Sequence, residues 1–516
     1  MKKLLLSLLA LSPLALFAQE PVDTTAFRMI RDAEMTDSHI PDIAYHITDA
    51  SGSRLTNSPG YFRAANWAVA EMKGWGMQHT ALEPWGEYGR GWEIEDFHIG
   101  MKAPYAGYIL GYPLPWSNNT NGEIHAPVFL MTQSQLMDSA WLIQHAADMK
   151  GKIVLIAAPN DKHAFDDTKP YATRYTDSEL VKLPDDYMLT RDMLLGYLKP
   201  VAQQERNRLR LKANGALAVI YAGGNKQDGT VGVQSFRNYK VGTPLFLPEA
   251  NISTEDGFKL KRLINEGKTV ELTLDIQARF NSDDTRGYNV VGEIPGTDPS
   301  LKAQLVMLGG HLDSWSAATG ATDNGAGSIV MLEAVRLLDS LHLRPKRTIR
   351  IALWGGEEQG LLGSYHYVLN HFGNAETSQF KPERDLVSAY FNLDNGTGRI
   401  RGIYAQNNKA IQPIFQAWLA PFADLDASTV TLSNTGSTDH LSFDWVGIPG
   451  FQFIQDPLDY ETKTHHTNMD TYDYLRIDDL KQAAVIVASF IYQASVRPDM
   501  LPRKPVVKET FVFDGF

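Results

Sequence analysis

Downstream of Asn289, short apolar runs alternate with longer amphipathic stretches, and no other feature of the sequence constrains the fold as much. Residues 305–308, 348–354 and 387–393 read as strands, while 326–341 and 361–372 read as helices. Alternation of this kind predicts an α/β fold: a mostly parallel sheet covered by helices on both faces. In the first helix, Val330, Ala334, Leu337 and Leu341 fall on one stripe flanked by Met331, Val335 and Leu338, wide enough to lie on a sheet. A last helix over 479–495 ends at Arg497 and Pro498.

At 516 residues the chain is longer than one hydrophobic core supports, so a second domain or a large insertion is expected. A helix over 57–75, capped by Ser58 ahead of Pro59, precedes a change of character. From there to about residue 280, an approximate limit, Gly and Pro rise and apolar runs such as 153–157 and 217–221 alternate with turns, the pattern of a β-rich unit. The aromatic stretch 85–92 could line a pocket, and packing between the two units is the favoured reading.

The first residues place Lys2 and Lys3 before an apolar run over 4–17 and then Ala18, the order of a signal peptide. The run is short for a membrane span and contains Pro13. The chain has no cysteine, which excludes disulfides, a lipid-modified cysteine, a thiol nucleophile and Cys-ligated zinc. The expected location is therefore periplasmic or secreted, with no membrane attachment once the signal is removed. A net charge of -12 argues against a nucleic-acid partner. Neither a Gly-x-Ser-x-Gly elbow nor a His-Glu-x-x-His helix is present.

Acidic residues and histidines gather at the predicted strand ends. His311 follows Gly309 and Gly310, with Asp313 placed to hold its other ring nitrogen. Asp323 begins a glycine-rich turn ahead of a helix, where it can cap the helix, bridge two cations, or do both. Glu357 and Glu358 follow an apolar strand; two like charges there each need a partner, and one can bind metal while the other faces metal-bound water. Asp394 ends the next strand, and His465 and His466 precede a polar loop. Five oxygen or nitrogen ligands with a spare carboxylate fit a pair of divalent ions, zinc first, with Co2+ or Mn2+ as substitutes.

The text GHLDSW at 310–315, DNGAG at 323–327, LRPKRT at 343–348, the Glu-Glu pair within 354–360, and HHT at 465–467 with Asp470 resembles the M28 family of co-catalytic zinc peptidases, and within it the plasma glutamate carboxypeptidase group. The resemblance implies a zinc exopeptidase-like fold with two Zn2+ per chain: His311 and Asp394 on one ion, Glu358 and His466 on the other, Asp323 bridging them, and Glu357 as general base. It favours His466 over His465. Asp439 and His440 fall in a loop similar to a substrate-side loop of the family, interrupted here by Thr438, and are expected in supporting or substrate contacts with Asp313. The resemblance also makes the β-rich unit a protease-associated domain. The expected division is a signal peptide at 1–18, the start of the peptidase domain at 19–99, the inserted domain at 100–280, the catalytic domain at 281–498 and a tail at 499–516.

The implied activity is removal of N-terminal residues from dipeptides or short peptides by a hydroxide shared between the ions. A homodimer is compatible with the resemblance. Two other functions fit parts of the pattern: a single-zinc glutaminyl cyclase on the same fold, and a non-catalytic peptide-binding or receptor protein.

Overall fold

The computed structural model describes residues 20–157, 169–185, 191–222, 226–235 and 239–505. The expected signal peptide at 1–18 and the last part of the expected tail, 506–516, lie outside them.

Two eight-stranded sheets organise the chain. The first runs in the order Gln78–Glu87, Arg286–Ile294, Thr348–Trp354, Leu305–His311, Val387–Asn392, Gly450–Gln455, Ile400–Tyr404, Thr429–Thr431. Its centre is parallel, from Thr348–Trp354 through Leu305–His311 and Val387–Asn392 to Gly450–Gln455. Antiparallel pairs join this centre to the strands on either side. The alternation of side chains assigns each strand residue to one of two cores. Val306, Leu308, Ile349, Ile351 and Phe391 face the side covered by the helices Ala326–Ser340 and Ile477–Val496. Met307, Ala352, Trp354 and Tyr390 face the side covered by Leu362–His371 and His440–Trp445. Both faces are dry, which is why the strands read as nearly continuous apolar runs.

The helix Pro59–Gly74 starts as its sequence predicts, with the Ser58 side chain accepting from the Tyr61 amide and Pro59 in the first turn. It packs on the first sheet through Tyr61, Ala64, Ala65, Ala68 and Met72.

The second sheet takes Gly107–Tyr108, Gly91–Ala103, Glu271–Asn281, Ile124–Thr132, Ile153–Ala157, Ala218–Ala222, Glu249–Ile252 and Gly111–Pro113 in that order. The boundary expected at residue 100 falls inside Gly91–Ala103, a strand paired along its length with Glu271–Asn281. The chain changes sheets between Glu87 and Gly91 instead. Local composition could not place that change, because sheet membership is set by a partner far away in sequence. Within this unit the helix Arg191–Ala213 precedes the strand Ala218–Ala222.

Trp85, Tyr88, Trp92, Trp116, Tyr239 and Trp315 form one buried cluster between the sheets, and Tyr88 stacks on Tyr239 with centroids 4.5 Å apart. Burying side chains of this size stabilises the junction by about 1.5–3 kcal/mol each, so the two units are held together by an apolar seam.

Candidate metal centre

The parallel register sets His311 beside Trp354, where two strands end level, and Gly309 beside Asn392, so the third strand ends two residues earlier and the residues after it continue beside His311. The loops leaving those ends carry His311, Glu357, Glu358 and Asp394 into one crevice at the carboxyl edge, where open α/β sheets bind ligands. Asp323 enters from the turn before helix Ala326–Ser340, and His466 from the loop before Ile477–Val496. Gly327 lets the first of these turns approach the third strand, since a Cβ there would lie 2.1 Å from the Leu393 carbonyl oxygen. Asn324 fastens the same contact by donating from Nδ2 to that oxygen at 2.9 Å.

The donor atoms form two poles around Asp323. Asp323 Oδ1 lies 3.3 Å from His311 Nε2, which is also 3.3 Å from Asp394 Oδ1. Asp323 Oδ2 lies 3.1 Å from His466 Nε2, which is 3.0 Å from Glu358 Oε2. Zinc bonds of 2.0–2.1 Å in a tetrahedron give a ligand-to-ligand edge of about 3.3 Å. Asp323 Oδ2, Glu358 Oε1 and Asp394 Oδ1 are buried acceptors without a hydrogen bond, a costly state that a cation relieves. Asp323, Glu357, Glu358 and Asp394 are all at most 9% exposed, and two divalent ions would balance their four charges. By spacing, chemistry and burial, the residues fit metal.

Glu357 stands apart from this pattern. Its Oε2 is 3.8 Å from His311 Nε2, outside the tetrahedral edge. Burial pushes its carboxyl well above the usual carboxylate range; the charge of His311 opposes this, and Asp394, Asp439 and Glu358 add to it. Asp323, His465 and His466 also form one group close enough to share an ion. His465 Nε2 is 3.9 Å from Asp323 Oδ2, and its Nδ1 is turned to Glu461 at 3.4 Å, whereas His466 reaches both carboxylates.

Residues 289–491 match the family model described as peptidase family M28. Human carboxypeptidase Q is 29% identical over 461 residues, covering 89% of this chain and 85% of that protein. Aminopeptidase YwaD of Bacillus subtilis is 29% identical over 316 residues, 59% of this chain and 63% of its own length. Residues 289–491 form a family M28 peptidase domain. Among solved structures, a peptidase M28 precursor from Shewanella amazonensis superposes with a TM-score of 0.69 at 24% identity, over 93% of this chain and 98% of that one. BSAP, a zinc aminopeptidase from Bacillus subtilis, gives 0.54 at 22%, over 89% and 94%. Both likenesses concern the fold.

Several supports in the M28 domain differ from their sequence expectation. His311 Nδ1 meets the backbone carbonyl of Asp313 at 2.9 Å, while the Asp313 carboxylate is 3.7 Å away. That carboxylate instead accepts from the amides of Glu357 at 3.2 Å and Glu358 at 3.3 Å, with the Thr56 hydroxyl at 2.9 Å. It therefore orients the Glu-Glu turn. Asp323 does not cap the following helix; Asn324 Oδ1 takes the Gly327 amide at 2.9 Å, leaving the Asp323 carboxylate to the centre.

Asp439 and His440 are fully buried, which removes them from a substrate's reach. Asp439 is pushed up to about 8 by burial, with His311 opposing and Asp394 adding. His440 is pushed down to about 4 by burial and hydrogen-bonds the Thr435 carbonyl at 2.9 Å.

Two residues hold the centre in ways the sequence reading did not expect, Asp470 having entered it only as part of the text after His466. Asp470 accepts from the amides of Thr322 at 2.6 Å and Asp323 at 3.0 Å, holding the bridging residue by its backbone. Its one signal was its position four residues beyond His466. Arg54, fully buried, donates to the carbonyls of Leu312 at 2.6 Å and Gly320 at 2.8 Å, tying together the loop between His311 and Asp323. Nothing local to Arg54 points to this, because the Leu312 and Gly320 carbonyls lie 258 and 266 positions away.

Asp313→Ala strands the Glu357 and Glu358 amides in the interior, each at about 1–3 kcal/mol, while the Thr56 hydroxyl keeps the Gln359 oxygen at 2.7 Å. The expected result is a loss of about 3 kcal/mol in urea unfolding of the metal-free protein, with kcat/KM about a hundredfold lower because the Glu-Glu turn is displaced. Asp313→Asn, which keeps one acceptor, should fall between the two.

Proposed function

We propose that the chain is an exported, two-metal exopeptidase acting from the amino terminus of dipeptides and short peptides, with zinc as its metal. The observation that carries this reading is the split donor set: two poles sharing Asp323, with Glu357 left over beside them. His311 and Asp394 would hold one ion and Glu358 and His466 the other, with Asp323 common to both. Ions held there polarise the scissile carbonyl and lower the pKa of the attacking water. Glu357 accepts the proton of that water at its carboxylate and returns it to the leaving amine.

Access supports short substrates. A cleft of about 690 Å³ opens beside His465 and His466, lined on its far wall by Leu114, Arg208, Lys226 and Val233 of the second sheet's unit. That is the size of a small-ligand pocket, of order 300–1,000 Å³, and suits a few residues of peptide. The export half of the proposal rests on the order of charge, apolar run and small residue over 1–18. Among the described residues, no helix is long and apolar enough to cross a membrane.

The test is a panel of free, N-acetylated and C-amidated dipeptides with the zinc-loaded protein. Free dipeptides should be cleaved and N-acetylated ones should not, with two zinc ions per chain by elemental analysis. Equal cleavage of N-acetylated substrates sinks the amino-terminal assignment. One ion per chain, with cyclisation of N-terminal glutamine, would replace it with the single-zinc acyltransferase reading.

A further inference from the structure

The loop that carries His466 is not supported by its own domain alone. Val233 donates its amide to the His466 carbonyl at 2.8 Å, and Asn468 donates its amide to the Val231 carbonyl at 3.1 Å. Gly232 and Thr467 form an antiparallel bridge between these bonds. The Asn468 side chain closes the ladder, with Oδ1 accepting from the Val231 amide at 2.7 Å and Nδ2 donating to the Gly229 carbonyl at 3.2 Å. His466 itself has φ +57°, a left-handed backbone that costs a non-glycine residue about 1–3 kcal/mol and persists only where its surroundings over-determine it. Here the bonds from 231–233 do so on both sides.

At the end of the same segment, the side-chain amide of Gln234 meets Nδ1 of His466, with its Nε2 placed 2.5 Å away. The other ring nitrogen, Nε2, is the one turned to Asp323 and Glu358. A histidine that binds metal through Nε2 keeps its proton on Nδ1, and an acceptor at Nδ1 fixes both the tautomer and the ring plane. The two ends of a glutamine amide exchange by rotation, so Gln234 can present its oxygen to that proton. The His311 pole has the same arrangement, with the Asp313 carbonyl at Nδ1, but there the carbonyl is supplied from within the catalytic domain.

We propose that Gln234 is a positioning residue for His466, and that the β-rich unit thereby completes one of the two metal poles. The proposal rests on the reading of His466 as a ligand. It makes the two poles unequal: the His311 ring takes its Nδ1 acceptor from Asp313 in its own unit, whereas the His466 pole depends on contact with the β-rich unit. The β-rich unit is then part of the catalytic apparatus as well as a wall of the cleft.

Gln234 is exposed, so replacing it removes the contact without disturbing a core. The experiment uses the full-length chain loaded with zinc and measures zinc affinity by competition with a chromophoric chelator, alongside the thermal midpoint of the metal-free form. Gln234→Leu is expected to weaken one of the two ions by about 10–100-fold, leaving the other ion and the metal-free midpoint unchanged. Gln234→Glu, which still offers an oxygen acceptor, should bind that ion within about threefold of wild type or more tightly. Wild-type affinity for both ions in Gln234→Leu overturns the proposal. So does a Gln234→Glu variant as weak as Gln234→Leu, because the effect would then not depend on an acceptor. His466→Ala separates the two layers: if it loses no zinc, the ligand reading itself fails; if it loses one ion while Gln234→Leu loses none, only the positioning role fails.

Discussion

Glu357→Gln is expected to lower kcat on a free dipeptide by about three orders of magnitude while both metal ions stay bound. The glutamine keeps the volume and an acceptor oxygen of the original side chain but cannot take up a proton, so the variant isolates basicity from shape. The structure separates this residue from its neighbour on distance. Glu358 reaches His466 at 3.0 Å, within a tetrahedral edge, and Glu357 stops 3.8 Å from His311. The Asp313 carboxylate holds both backbone amides of the pair, which fixes the direction in which each side chain leaves the turn. Adjacent residues on an extended or turning backbone diverge, so the two side chains leave the turn in different directions. Burial keeps the Glu357 carboxyl readily protonated, and cations held at the two poles would bring it back towards the range in which it can both accept and return a proton. The measurement is kcat with metal content on the same sample. If Glu357→Gln sheds an ion and Glu358→Gln keeps both, the roles are exchanged; if kcat falls less than tenfold, neither glutamate is the base in the manner described.

The sequence was most legible where local pattern and site coincide. Strand residues 348–354 were readable because both sheet faces are dry, and the residues that follow such strands are delivered to the carboxyl edge by topology alone. His311, Glu357, Glu358 and Asp394 all follow that rule. Two features lay outside it for a common reason. The strand Gly91–Ala103 belongs to a sheet whose defining partner lies at Glu271–Asn281, and the Gln234 amide meets a ring 232 positions away. Periodicity over a short window carries no information about such partners. The supports were misread in a more specific way: an aspartate two residues after a ligand histidine suggests a carboxylate on the ring, yet the backbone of Asp313 takes the ring and its side chain takes the Glu-Glu turn. Asp439 and His440 were expected in supporting or substrate contacts, and both are fully buried, a fact that their place in a polar loop did not reveal.

Asp323→Ala is expected to release both ions together and take hydrolysis below detection, a loss of more than about four orders of magnitude. The residue supplies one carboxylate oxygen to each pole, Oδ1 to the His311 side at 3.3 Å and Oδ2 to the His466 side at 3.1 Å. Removing it therefore takes one ligand from both sites at once, whereas Asp394→Ala takes one from the His311 side alone. The backbone around it should stay in place, because Asp470 holds the Thr322 and Asp323 amides and Asn324 holds the neighbouring strand loop without using the Asp323 side chain. Folding and metal binding can thus be read separately. Each ion bound to the native state at a hundred times its Kd adds about 2.7 kcal/mol to unfolding, so zinc should raise the thermal midpoint of the wild type in two increments, that of Asp394→Ala in one, and that of Asp323→Ala in none. The outcome that breaks the shared-carboxylate arrangement is an Asp323→Ala protein that keeps one increment with wild-type affinity: its poles would then be independent sites, and the two-metal reading would lose the residue that joins them.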